Sequence, residues 1–163
     1  MQFLAHPVPA WEVQDLCQVP RSPQAASEVR RNSAIRQARS CYDHLAGVAG
    51  VQLLGEILWR GWVEAQEGGR PCYQLTSQGT QALGARGVDV LCGTKARRAF
   101  AYGCLDWTER RPHLGGALGA AILQALGAAG VIQPQRNVRA ITLLEPITSW
   151  LDEAAGCTSR TGH

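Results

Sequence analysis

The chain has 163 residues, 45% of them hydrophobic and 18% charged, with a formal net charge of +3. That composition supports one or two small domains with a buried core and excludes a disordered chain. The mild basicity falls short of the dense positive stripe that marks a nucleic-acid binder by charge alone.

Pro7 and Pro9 interrupt the apolar stretch from Phe3 to Trp11, and no run approaches the roughly 18 apolar residues of a membrane helix. We expect a soluble, cytoplasmic protein that does not enter a membrane. Its six cysteines (Cys17, Cys41, Cys72, Cys92, Cys104 and Cys157) are expected to be reduced thiols, since a chain of this size needs no disulfide framework.

In chain order, residues 1–33 read as a Pro-interrupted start and linker, with a short helix around Trp11 to Cys17. Residues 21–40 carry Arg21, Arg30, Arg31, Arg36 and Arg39 against one acid, Glu28, the pattern of a solvated helix or linker. The helical reading continues from Ala34.

Two similar stretches follow. From His44 the sequence aligns without a gap with the stretch from His113, at an offset of 69 residues, as far as the pair Val63 and Ile132. Upstream, Cys41-Tyr42-Asp43 matches Cys104-Leu105-Asp106, with a six-residue insertion before His113. A repeat of this kind constrains architecture before any local motif does.

The first copy, 34–90, reads as helix, turn, helix, hairpin, helix. Gly47 and Gly50 punctuate the first two helices. Leu53, Leu54, Ile57 and Leu58 form an amphipathic stripe that Gly61 ends. Trp62 and Val63 start a strand, Gly68-Gly69 marks a turn, and Pro71 to Thr76 returns with Tyr73 and Leu75 on one face. Thr76 is placed to cap a helix through Leu83, ended by Gly84 or Gly87.

The second copy, 91–155, repeats the order. Asp106 with Glu109 suggests a capping box, and Leu114, Leu118, Ile122 and Leu126 form a helical stripe that stops at Gly130. Val131-Ile132 and Ala140 to Leu143 flank a turn around Pro134 to Asn137. Pro146 fits only a first helical turn, and 156–163 is a tail. The expected fold is mostly α (α+β): two tandem winged-helix-like units, each of helices plus a two-stranded wing, packed through apolar faces ending at Trp62 and Ile132.

Cys-Tyr-Asp-His-Leu-Ala-Gly (41–47), Leu-Thr-Ser-Gln-Gly (75–79) and Cys-Leu-Asp-Trp-Thr-Glu-Arg-Arg-Pro-His-Leu (104–114) give the chain a family likeness. It resembles the ArsR-type winged-helix transcriptional regulators, in their long-chain subgroup, over residues 3–151. The resemblance implies transcription regulation, double-stranded DNA as partner, a homodimer and no enzymatic activity. Phe3-Leu4-Ala5-His6-Pro7 looks like the segment after the last wing strand of that family's DNA-binding domain. On this resemblance the chain corresponds to the family's C-terminal portion without the DNA-reading winged helix, and Trp11 to Cys17 would match a dimerisation helix. An alternative is a metal-, thiol- or small-ligand-sensing module, or an interaction partner, without DNA binding of its own.

Two groups of residues are candidate sites. Cys41 and His44, three apart on an expected helix, share a face, and Cys104 and His113 can converge across the insertion. With Asp43 and Asp106 nearby, this set suits zinc, another soft divalent metal, or a redox signal. The competing reading has buried thiols, capping aspartates and core histidines.

The second group, Lys95, Arg97, Arg98, Arg110 and Arg111, interleaves with Phe100, Tyr102 and Trp107 as phosphate contacts would; alternatively Arg110 and Arg111 pair with Glu109 and Asp106. Gly47/Gly50 and Gly116/Gly119 lack the strand, helix and Lys-Ser or Lys-Thr context of a phosphate loop. No nucleophile elbow or paired general acid and base is present, and no role is assigned to Cys17, Cys72, Cys92 or Cys157.

Overall fold

A computed structural model describes residues 33–92 and 97–153, together with Pro23. The expected Trp11 to Cys17 helix and the 156–163 tail lie outside the described residues, as does Lys95. Among the described residues no helix is long and apolar enough to cross a membrane.

The elements in order are α1 (Ser33–Gln37), β1 (Arg39–Cys41), β2 (His44–Ala46), α2 (Gly47–Trp59), β3 (Val63–Gln66), β4 (Cys72–Leu75) and α3 (Ser77–Ala85). Then come β5 (Tyr102–Leu105), β6 (Pro112–Gly115), α4 (Gly116–Ala128), β7 (Ile132–Pro134), β8 (Ile141–Leu143) and α5 (Ile147–Asp152). The fold is α+β, and the mostly helical expectation is wrong for a local reason. In each copy a β-hairpin stands directly before the long helix, where the sequence pattern predicts a first helix and a turn.

In the first hairpin Cys41 lies opposite His44 across the two-residue turn Tyr42-Asp43, and Tyr42 adopts a left-handed φ of 61° through which a helix cannot continue. In the second, Cys104 lies opposite His113, and residues 106–111 form the connecting loop. The expected capping box at Asp106 is therefore no helix start, and Leu114 stands on β6 rather than in the helical stripe.

Other expectations rest on local chemistry and are met. Helices α2 and α4 have bounds displaced by the same 69 residues that separate His44 from His113. Each is stopped by a left-handed glycine, Gly61 at φ 67° and Gly130 at φ 72°. Thr76 Oγ1 accepts from the Gly79 N–H at 2.9 Å and donates to the Gly61 carbonyl at 2.7 Å, tying the cap of α3 to the end of α2. Pro146 sits immediately before α5, where its missing N–H is no loss.

The two halves interlock. Helix α2 packs on β6 of the second hairpin and α4 on β2 of the first, with β2 against β6 between them. The strands cross over too: β3-β4 continues into β5-β6 as one four-stranded sheet through Cys72 and Tyr102, while Arg39 on β1 bridges to Ala140 beside β8. One hydrophobic core results, with Leu53, Leu54 and Ile57 of α2 joined to Leu118, Ile122 and Leu126 of α4 and closed by Trp62, Leu83 and Trp150.

The helix crossings depend on two glycines. A Cβ on Gly50 would run into the Leu45 carbonyl and come within 3.3 Å of His113 Cβ; one on Gly119 would run into the Leu114 carbonyl and come within 3.1 Å of His44 Cβ. Each helix thus presses its glycine against the histidine of the other half. We expect Gly119→Ala to lower the unfolding free energy in urea by about 1–3 kcal/mol through overpacking. By contrast Gly55, with nothing within 4 Å of a built Cβ, should tolerate alanine and gain up to about 1 kcal/mol of helix propensity.

Candidate metal centre

Directly opposed residues of an antiparallel pair project from the same face, so each hairpin presents one thiol beside one imidazole: Cys41 with His44, and Cys104 with His113. The packing of β2 against β6 then brings the two faces together. One donor atom from each of Cys41, His44, Cys104 and His113 lies within 4.8 Å of all the others. The set converges as expected, but on strands, with Cys41 and His44 sharing a sheet face instead of a helix face.

The histidines are buried, at 3% and 1% exposure, and their Nε2 atoms face each other at 3.2 Å. The other nitrogen of each ring turns to the aspartate of its own half. His44 Nδ1 is 3.4 Å from Asp43 Oδ1, and His113 Nδ1 is 3.0 Å from Asp106 Oδ2, near enough to pair but not aligned for a hydrogen bond. The two aspartates lie outside the ligand cluster and stand behind the imidazoles, where they orient the rings.

Their surroundings differ. Asp43 is partly exposed and pairs with Arg98, whose guanidinium holds the carboxyl below its usual range. Asp106 is buried and receives the Arg39 guanidinium at 2.8 Å, the Gly47 N–H at 2.7 Å, and the Thr108 N–H and hydroxyl at 2.9 and 2.8 Å. Burial alone would raise the Asp106 carboxyl, but His113, Arg39 and the backbone donors outweigh it and hold it far below the ordinary carboxylate range.

Among the ligating atoms, burial and the neighbouring His113 lower the pKa of His44, keeping that ring neutral and able to donate a lone pair. Burial and the adjacent Cys41 push the Cys104 thiol up to about 11. With each Nδ1 turned toward a carboxylate, the two facing Nε2 atoms are the ones placed to bind a cation between them. Tetrahedral zinc, with N ligands at about 2.0–2.1 Å and S ligands at about 2.3 Å, places ligand atoms about 3.3–3.8 Å apart, and the histidine pair at 3.2 Å is within a small adjustment of that span.

Sequence reasoning missed Arg39, which is not solvated at all. It is fully buried, donates to Asp106, Thr108 and the Ile35 carbonyl, and lies 4.5 Å over the Trp107 ring. Its side-chain acceptors, Asp106 and Thr108, stand 67 and 69 residues away, so its local Arg-rich context gives no hint of them. Glu109, similarly, pairs with Arg36 at 2.9 Å, while Asp106 takes Arg39, so the expected pairing of Arg110 and Arg111 with these acids is replaced.

Of the candidate phosphate contacts, Arg97 is exposed and Arg98 is engaged by Asp43. Arg110 and Arg111 lie in the β5–β6 loop, Arg110 with a left-handed φ of 59°. Cys72 is exposed on β4 and Cys92 half-buried, and neither joins the cluster; Cys17 and Cys157 lie outside the described residues.

The chain is similar to a named transcriptional regulator. It is 33% identical over 122 residues to the uncharacterized HTH-type transcriptional regulator YdfF of Bacillus subtilis (strain 168), an alignment that takes in 75% of this chain. The same alignment takes in 53% of the relative, so the chain spans about half of that protein's length. No family model matches the chain, and no solved structure does.

Proposed function

We propose that this chain is the metal-binding region of a transcriptional regulator of the ArsR-like winged-helix kind, acting in the cytoplasm as a homodimer on double-stranded DNA. The regulator reading is supported by the similarity to an HTH-type relative and by the motifs at 41–47, 75–79 and 104–114. Residues 34–90 and 91–155 are read as two copies of one unit. Their shared 69-residue offset and the reciprocal packing of helix on hairpin support that reading.

The observation that carries the metal-binding part is the meeting of Cys41, His44, Cys104 and His113 within 4.8 Å. Four protein donors of mixed sulfur and nitrogen suit zinc in a closed, non-catalytic site. Asp43 and Asp106 would hold the two rings in the ligating tautomer.

Metal content and cobalt titration test this directly. Purified chain should carry close to one zinc per molecule, and cobalt should produce thiolate-to-metal absorption with tetrahedral d–d bands that Cys104→Ser weakens. Absence of both metal and bands would end the metal reading. DNA binding is tested separately by titrating the chain with upstream promoter DNA over a salt series, where a regulator contacting phosphates shows affinity falling steeply with salt.

A further inference from the structure

We propose that Cys41 and Cys104 form a peroxide-responsive thiol pair, closing to a disulfide that dismantles the metal centre. The inference rests on the zinc reading for its consequence, and on the thiol geometry for the reaction itself.

The donor set is polarised. Both imidazoles are buried under the opposing helices, while both cysteines are half-buried, so an approaching small molecule meets sulfur first. The two sulfurs come from different halves, on β1 and β5, yet they lie within 4.8 Å of one another. Disulfide formation therefore needs rotation about the side-chain bonds and a small closing movement, with no refolding of either hairpin. Cys72 provides an internal comparison: it is more exposed but lies outside the cluster. Exposure alone would make Cys72 the first thiol oxidised; proximity favours the Cys41–Cys104 pair.

The reaction balances with a hydroperoxide as oxidant. One sulfur attacks a peroxide oxygen, the O–O bond breaks, and a sulfenic acid and one water result when the oxidant is hydrogen peroxide. The second sulfur displaces hydroxide from the sulfenic acid, the S–S bond forms, and the hydroxide leaves as a second water. Two thiols lose two electrons and two protons, and one peroxide is reduced to two waters. Neither sulfur then remains an anionic ligand. Two histidines alone cannot complete a tetrahedral site, so zinc leaves.

The experiment treats the full chain, zinc-loaded and metal-free in parallel, with one equivalent of hydrogen peroxide. Released zinc is read by a chromogenic chelator and bonded cysteines by non-reducing peptide mapping. Zinc content before oxidation reports on the metal reading by itself.

The expected result is a Cys41–Cys104 peptide in both preparations, together with stoichiometric zinc release from the loaded one, reversed by dithiothreitol and added zinc. Cys72→Ser should leave both signals unchanged, and Cys104→Ser should lose the disulfide. Oxidation at Cys72 or Cys92 ahead of this pair, or sulfinic acid at Cys41 or Cys104 without the cross-link, would overturn the proposal. A mapped cross-link in a chain that carried no zinc would retain the thiol pair and remove only its effect on metal.

Discussion

Replacing Asp106 by alanine is expected to lower the unfolding free energy by about 3–5 kcal/mol, a large share of the roughly 5–15 kcal/mol that a domain commonly has. Asp106 and Arg39 are both fully buried, and their ion pair spans the first and second halves of the chain. Without the carboxylate, the Arg39 guanidinium stays in the interior with only neutral oxygens of Ile35 and Thr108 as acceptors. The N–H of Gly47, at the start of α2, and that of Thr108 lose their acceptor as well. Urea unfolding followed by tryptophan fluorescence measures the loss. Asp43→Ala is the matched control: its pair with Arg98 is partly exposed, so the stability cost should stay below about 1 kcal/mol. Because Asp43 also orients His44, the same variant should weaken metal affinity by about 10- to 100-fold while the fold holds. Equal stability losses for the two variants would mean that the Arg39–Asp106 pair has no special weight.

The two aspartates also show what a single sequence reveals. The repeated Cys-x-Asp and His positions, with a six-residue insertion between them in the second copy, single out Cys41, His44, Cys104 and His113, because a repeat places equivalent positions in equivalent environments. Local chemistry likewise marks Thr76 as a cap and Gly61 and Gly130 as helix stops, since the groups involved lie within a few residues of each other.

The first hairpin is not legible in the sequence because Cys41 to Ala46 is too short to display a period of two, and its turn is Tyr42-Asp43, without the glycine that usually signals one. Asp106 and Glu109 carry the spacing of a capping box, but Asp106 Oδ1 satisfies the Thr108 and Glu109 N–H groups within a loop, which is the same local hydrogen bonding without a helix to follow. Arg39 was illegible for a different cause. Its burial follows from an acid 67 residues away and an aromatic ring beside that acid, and nothing in a run of arginines distinguishes the one that will be enclosed.

Zinc loading is expected to raise the melting temperature by roughly 8–16 °C over the chelator-treated chain. At a thousandfold excess of free metal over its Kd, binding to the folded state alone adds about 4.1 kcal/mol. For a protein of about 150 residues, each kcal/mol moves the midpoint by roughly 2–4 °C. The donors explain why the effect should extend to the whole fold. Cys41 and His44 belong to one hairpin, Cys104 and His113 to the other, and each histidine also supports the helix of the opposite half through Gly119 or Gly50. Unfolding either half therefore destroys the site, so metal affinity becomes a joint between the halves rather than a clip within one. Differential scanning calorimetry with and without chelator measures the shift. His113→Ala and Cys41→Ser should abolish it, whereas Cys72→Ser, altering a thiol outside the cluster, should leave it intact. A shift that survives removal of both cluster cysteines would place the responsible metal elsewhere on the chain.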